Sequence, residues 1–266
     1  MAPAVSEREH EQARGAIPVS LACCGLIGTM VSDGGTVDRA YAEAIATQGV
    51  FLGTAAYAKC MAQVHQARGQ SETEVLRAMF PENEARAQAA QIALDRSFCD
   101  AVGRMGATPA PGAVNAMEKM ARAGIRVCVI TAFSRRVLNA VLDNLGWWDW
   151  INLALSADDA PRGFPAPDLI LTAMLRLGVA DVRETAVAHD ALNGIMAGTR
   201  AGAGIVAGVL GGAHSGDRLQ LAGATHLIPG VAYLPELLIT VGREAPEQPG
   251  TAPQAAPTGQ ATGTSG

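Results

Sequence analysis

The chain has 266 residues, of which 49% are apolar and 17% charged, and a formal net charge of −5. That length can bury a full core and carry one large domain plus a smaller one. No apolar run reaches the roughly 18–20 residues needed to cross a bilayer, and an acidic balance without a basic cluster argues against a nucleic-acid footprint.

The first residues, MAPAVSEREHEQARG, mix both charges and join no basic flank to an apolar segment. A secretory signal is therefore not expected. The cysteines at 23, 24, 60, 99 and 128 form no CxxC pair and no Cys/His metal spacing. With a disulfide scaffold disfavoured, a cytoplasmic setting is expected. Residues 1–16 are expected to form a flexible arm.

The apolar run VSLACCGLIGTMV, residues 19–31, predicts a buried strand over Val19–Cys24 and a turn over Gly25–Gly35. Val37, Tyr41, Ala44 and Ile45 fall at helical spacing, with Thr36 or Asp33 as cap and Gly49 as stop. From about residue 50 to 108 no strand pattern occurs. Ser71-Glu72-Thr73-Glu74 has capping-box spacing, Pro81 breaks the run, and a longer helix is predicted over 83–101 with Ile92, Cys99 and Val102 on its apolar stripe. So long a connection exceeds an ordinary crossover and predicts an inserted helical cap over residues 35–108.

The strand–helix alternation resumes near Pro109, with Val114, Met117 and Met120 on one helix side. Ile125–Thr131 reads as a central parallel strand, and Ser134–Leu145 as the next helix. The three tryptophans cluster at 147, 148 and 150, where they suit a sheet edge, a dimer face or a stacking site. Shorter strands and helices follow to about residue 239. Residues 242–266 read as a disordered tail rich in Pro, Gly, Ala, Thr and Gln. The fold class predicted is α/β: a Rossmann-like parallel sheet, formed by residues 17–34 and 109–241, with the helical cap inserted. Its ligand crevice belongs beyond the strand C-termini, after Cys24, near Thr131 and near His189-Asp190.

Several ordered segments, among them LIGTMVSDGGTVDRAYAEAI, PRGFPAPDLILTAM and VAHDALNGIMAGTRAGAGIVAGVLGGAHS, resemble the haloacid dehalogenase superfamily and its phosphonoacetaldehyde hydrolase-like branch. The likeness spans roughly residues 18–240. It implies a Rossmann-like core of that type with a cap after the first strand, and it implies four catalytic motifs. Anchored on Gly28-Thr29, the first motif places Gly25 at the nucleophilic aspartate and Ile27 at the second acidic position. The second motif survives as Thr131. At the basic residue of the third stands Phe164, with Arg162 two residues away. The fourth retains Asp190, while Gly194 takes its second acidic position, Asn193 lies beside it, and His189 replaces a usual glycine. In the cap, Ala56 stands near the expected Schiff-base lysine, and Lys59 does not inherit that role.

Nucleophile, metal cage and basic clamp are thus all depleted, although phosphoryl transfer depends on each. No metal site and no cofactor are expected. His189 and Asp190 are the candidate catalytic pair. Cys24 is a candidate nucleophile, against which strand alternation sets a core position. Thr131, Asp33 and His214 are candidate ligand contacts. Two functions stay open. One is metal-independent chemistry on a small organic metabolite held between cap and core, by a lyase, dehydratase, cyclase or metal-independent hydrolase. The other is a non-catalytic metabolite-binding or protein-interaction pseudoenzyme. Neither reading calls for nucleic acid or membrane, and a homodimer is the assembly considered.

Overall fold

A computed structural model describes residues 17–241, so the arm at 1–16 and the tail at 242–266 lie outside the described residues. Six parallel strands form one sheet in the order β3-β2-β1-β4-β5-β6. They are β1 (Leu21–Gly25), β2 (Arg126–Ile130), β3 (Leu153–Leu155), β4 (Thr185–His189), β5 (Ile205–Val209) and β6 (His226–Ile228). β1 is central: Cys24 is level with Val129 of β2 on one side and Ala188 of β4 on the other. The order reverses beside β1, so Gly25, Ile130 and His189 end at one edge, where an open α/β sheet places its ligand crevice.

Helices cover both faces, which is why β1, β4 and β5 are buried along their whole length. Alternation sends neighbouring side chains to opposite layers. Cys24, Val127 and Val129 pack toward α5 (Ala113–Arg122) and α6 (Arg135–Leu145). Cys23, Cys128 and Val187 pack toward α7 (Asp168–Leu177) and the Ala197 face of α8 (Leu192–Ala201). The short α9 (Gly216–Leu221) and α10 (Leu234–Val241) close the described chain.

Between β1 and β2 stand four helices: α1 (Thr36–Thr47), α2 (Ala55–Gln66), α3 (Glu72–Met79) and α4 (Glu84–Met105). α1 runs along α4, and α4 continues onto the core helix α6. The seam keeps Val102 and the alanines of the predicted stripe, with Cys99 packed against it, but not Ile92. Ile92 is 66% exposed, whereas Ala87, Ala90, Leu94 and Phe98 are buried against Ala40, Ala44 and Ile45 of α1. Small side chains let the two helix axes approach, and burial of Leu94 and Phe98 contributes about 1.5–3 kcal/mol each. Val114 likewise faces outward, while Met117 and Met120 are buried. At α3 the Ser71 hydroxyl makes no capping hydrogen bond, and Glu72 turns inward instead.

Among the tryptophans, Trp147 is buried in the core, and Trp148 donates its indole N–H to Asp143 Oδ1 at 2.6 Å. They do not line the crevice described below. No described helix is long and apolar enough to cross a membrane.

Candidate functional site

The C-terminal edge of β1 and β4 and the inner side of the insert enclose a cavity of about 60 Å³. Tyr41, Val64 and Arg68 line it from the insert, and Thr131, Phe133 and His189 from the core. A wider groove of about 860 Å³ lies beside it and shares Gly28, Asp33, Arg68, Asp190 and Ala213 with it.

The His189 ring lies against both Gly25 and Gly194. A Cβ built on Gly25 would lie 2.9 Å from His189 Cδ2 and 3.0 Å from Nε2. One built on Gly194 would lie 2.2 Å from both Cδ2 and Cγ. Such separations are overlaps, so one imidazole stands in the room that side chains at both positions would need. Phe164, fully buried, meets that ring edge-on with centroids 5.6 Å apart and planes at 89°. Gly25, Gly194, Phe164 and His189 therefore form one packed unit.

The proton on His189 is placed by its neighbours. The Ala191 amide donates to Nδ1 at 3.0 Å, while Asp190 Oδ1 lies 3.4 Å from the same nitrogen. Taking the shorter, directed contact as the hydrogen bond leaves the neutral ring's proton on Nε2, toward Gly25. As drawn, the imidazole is a donor to the cavity. It becomes a base there only if Nδ1 releases the amide and turns to Asp190.

Asp190 is buried between two backbones: a Cβ on Gly28 would lie 2.2 Å from its Oδ2, and one on Gly212 2.4 Å from its Cβ. Gly28, at φ 88°, is where this close approach requires a glycine. Thr29 Oγ1 donates to Asp190 Oδ1 at 2.9 Å and accepts from the Asp190 amide at 3.1 Å; Ala213 N–H donates to Oδ2 at 2.9 Å. Burial alone would raise this carboxyl, while the Ala213 amide and Thr29 lower it; with a proton on His189 Nδ1 facing it, its pKa lies below the usual aspartate value. Asp190 thus ties the loops after β1 and β5 to the end of β4.

These donors do not fit a magnesium cage, which asks for several oxygens in near-octahedral array. Gly25 and Gly194 offer no side-chain oxygen. Among the described residues no group of three or more His, Cys, Asp or Glu side chains could hold a metal ion.

Not every residue singled out in the sequence reaches this cavity. Cys24 is corrected: it is fully buried in the layer facing α5 and α6, and burial followed by Cys23 pushes its thiol far above the usual range. An un-ionised thiol enclosed by apolar side chains is no nucleophile. His214 is also corrected. It is buried beside the site, accepts from the Leu192 amide at 3.4 Å, and is absent from the cavity lining; burial and then Arg218 lower its pKa. Arg162, a possible substitute base in the sequence, points into solvent and pairs with Asp168 at 2.6 Å.

Thr131 and Asp33 do line the cavity. Thr131 Oγ1 accepts from the Phe133 amide at 3.2 Å, and Asp33 Oδ1 accepts from the Val37 amide at 2.9 Å. Asp33 and Asp38 also grip Arg68, at 2.8 and 2.6 Å. Burial would lower the arginine's pKa, and the two carboxylates reverse that. Asn193 turns to the insert and donates to the Arg68 carbonyl at 2.9 Å. Arg68 and Tyr41 escaped the sequence reading: one stands in an interhelical turn and the other at an ordinary core position, and no motif marks either.

A family profile described as haloacid dehalogenase-like hydrolase matches residues 22–202. A probable phosphatase, IndB, of Dickeya dadantii (strain 3937) is 32% identical over 112 residues, 42% of this chain and 48% of the relative. A phosphonoacetaldehyde hydrolase of Vibrio cholerae is 30% identical over 116 residues, 43% of each chain. The chain thus spans about half the length of the curated relatives it matches. Among solved structures, a phosphonoacetaldehyde hydrolase-like protein from Oleispira antarctica superposes with a TM-score of 0.74 at 22% identity, covering 94% of this chain and 100% of that one. A hydrolase from Pseudomonas syringae gives 0.70 at 24%, covering 82% and 97%. At these identities the likeness is one of fold.

Proposed function

The chain belongs to the haloacid dehalogenase-like hydrolase family, and we propose that within it this protein has given up metal-dependent phosphoryl and phosphonate hydrolysis and keeps the cavity between insert and core as a binding site for a small, uncharged organic metabolite. The observation that carries the reading is the His189 imidazole in the room of the side chains missing at Gly25 and Gly194. Those are the positions the family resemblance assigns to the attacking aspartate and a metal-binding acid. With Phe164 at the position of the basic clamp, no group there can attack phosphorus or neutralise the charge of a phosphoryl transition state.

The insert acts as the cap in this reading. The class of ligand follows from the lining. Arg68 is the one lysine or arginine among the lining residues, and Asp33 and Asp38 already satisfy its charge. A dianionic phosphate would meet no spare positive group. A neutral polar head would instead meet Thr131 and the Nε2–H of His189, with Val37, Val64 and Phe133 around its apolar part.

A second reading, metal-independent proton transfer, is favoured by one contact. In the other tautomer Nδ1 carries the proton and donates to Asp190 Oδ1, which lies 3.4 Å away, and Nε2 is then free as a base. The ring's nitrogen-15 chemical shifts separate the two. A proton on Nε2 supports the binding site, and a proton on Nδ1 supports the enzyme.

The loss of phosphate chemistry is tested by phosphate release. With magnesium present, the purified protein should release no more phosphate from p-nitrophenyl phosphate or phosphonoacetaldehyde than buffer does. Turnover above that background, abolished by EDTA for the ester, would overturn the proposal.

A further inference from the structure

Two linkers join the insert to the core, and a second cavity lies beside them. The linkers are zipped together: Ser32 N–H donates to the Thr108 carbonyl at 2.9 Å, and Ala110 N–H to the Met30 carbonyl at 2.8 Å. Val31 pairs antiparallel with Pro109 between them. The cavity measures about 330 Å³, at the small end of the roughly 300–1,000 Å³ typical of ligand pockets. Its apolar wall comes from both sides of the junction. α4 of the insert supplies Phe98, Val102 and Met105, and α6 of the core supplies Val141. Phe98, Val102 and Val141 are buried, whereas Met105 is 60% exposed and stands at the mouth.

One charge in this lining has no counterpart. Arg39, exposed and one turn into α1, directs Nη2 to Thr36 Oγ1 at 3.2 Å and to the Gly34 carbonyl at 3.5 Å. Its Nε and Nη1 take no protein acceptor, and it joins no ion pair, among the described residues. The other charged residue of the lining, Asp33, is already held by Arg68 at 2.8 Å and by the Val37 amide at 2.9 Å. An apolar wall thus stands beside a single uncompensated guanidinium.

We propose that the linker cavity is a second binding site and that it takes a small apolar carboxylic acid in its ionised form. The carboxylate lies on Arg39, and the hydrocarbon tail lies against Phe98, Val102 and Val141. A guanidinium presents paired, coplanar N–H donors that match the two oxygens of a carboxylate. One such group answers one negative charge, and the Asp33 carboxylate in the same lining opposes a second. The tail is required as well, because burying it is what removes the apolar wall from water. Since that wall spans α4 and α6, the bound acid bridges insert and core. Nothing in this site depends on whether the crevice at the end of β1 binds or catalyses.

Sodium hexanoate tests the assignment. Titrated into the full-length, isotope-labelled protein, it should give saturable shifts at low-millimolar concentration in the Arg39 Nε–H and in the methyl groups of Val102, Met105 and Val141. Hexan-1-ol has the same tail without the charge and should bind at least about tenfold more weakly, the loss expected for one charge-assisted contact. Acetate, the charge without the tail, should also bind at least about tenfold more weakly. Arg39→Gln, at an exposed position, should lose hexanoate affinity by the same factor and leave that of hexan-1-ol unchanged. Several results would overturn the site: no saturable shift, shifts centred on other residues, equal binding of hexan-1-ol or acetate, or hexanoate affinity indifferent to Arg39→Gln. Hexyl phosphate binding more tightly than hexanoate would overturn the assignment to a carboxylic acid.

Discussion

Gly25 and Gly194 both face the His189 ring, and at Gly25 the Thr29 hydroxyl crowds the same space. The closeness of a Cβ at 194 to that ring, 2.2 Å, makes Gly194→Asp an overpacking change that should cost about 1–3 kcal/mol. His189→Gly removes the obstruction, so the double variant should recover stability relative to additivity, with a coupling of about 1–3 kcal/mol in a urea-denaturation cycle. Additive losses would mean that the ring and the glycine are independent. The glycines, the phenylalanine and the histidine were each legible as departures from a motif. Their contact was not, because spacing along the chain does not say where a ring at a strand end will point. Cys24 shows the converse: strand alternation alone offered the core position that the structure gives it.

Among the elements, the four-helix insert is held to the loop after β1 by one arginine. Arg68 links the turn after α2 to Asp33 ahead of α1 and to Asp38 within it, at 19% side-chain exposure. Such a half-buried fork lies between the near-neutral surface pair and the costly buried one. Arg68→Met should therefore lower stability by about 1–2 kcal/mol, with part of the loss disappearing at high salt, as read by denaturant unfolding at two ionic strengths. A salt-independent loss would point to packing of the arginine's methylenes instead. The insert's helices were visible from their caps and breakers. The seam of α4 was visible only in part: Val102 and the alanines belong to it, but bulk suggested Ile92, which faces out. Periodicity fixes a stripe's spacing, and the partner helix decides which stripe is used.

For the molecule as a whole, the parallel sheet could be read with little ambiguity from the repeated strand–helix units and the one long interruption. The inward turn of Glu72 could not, since its partners come from α4 and from the cap of α6, far off in sequence. A family member with a magnesium cage would be stabilised by the ion through mass action, about 2.7 kcal/mol at a hundredfold excess over Kd. That would appear as a rise of several degrees in Tm. Here neither magnesium nor EDTA should move the unfolding temperature by more than about 1 °C, on the same scale. A rise with magnesium that EDTA reverses would show ligands at work that the present donor set does not supply.

The shared occupancy at the end of β1 also bears on how this sequence can change. Placing an acid at residue 25 while the histidine remains forces two groups into one volume, and removing the histidine first leaves a hole beside Phe164. Both routes to an acid at the strand's mouth pass through a poorer fold, so the imidazole works as a ratchet against that change.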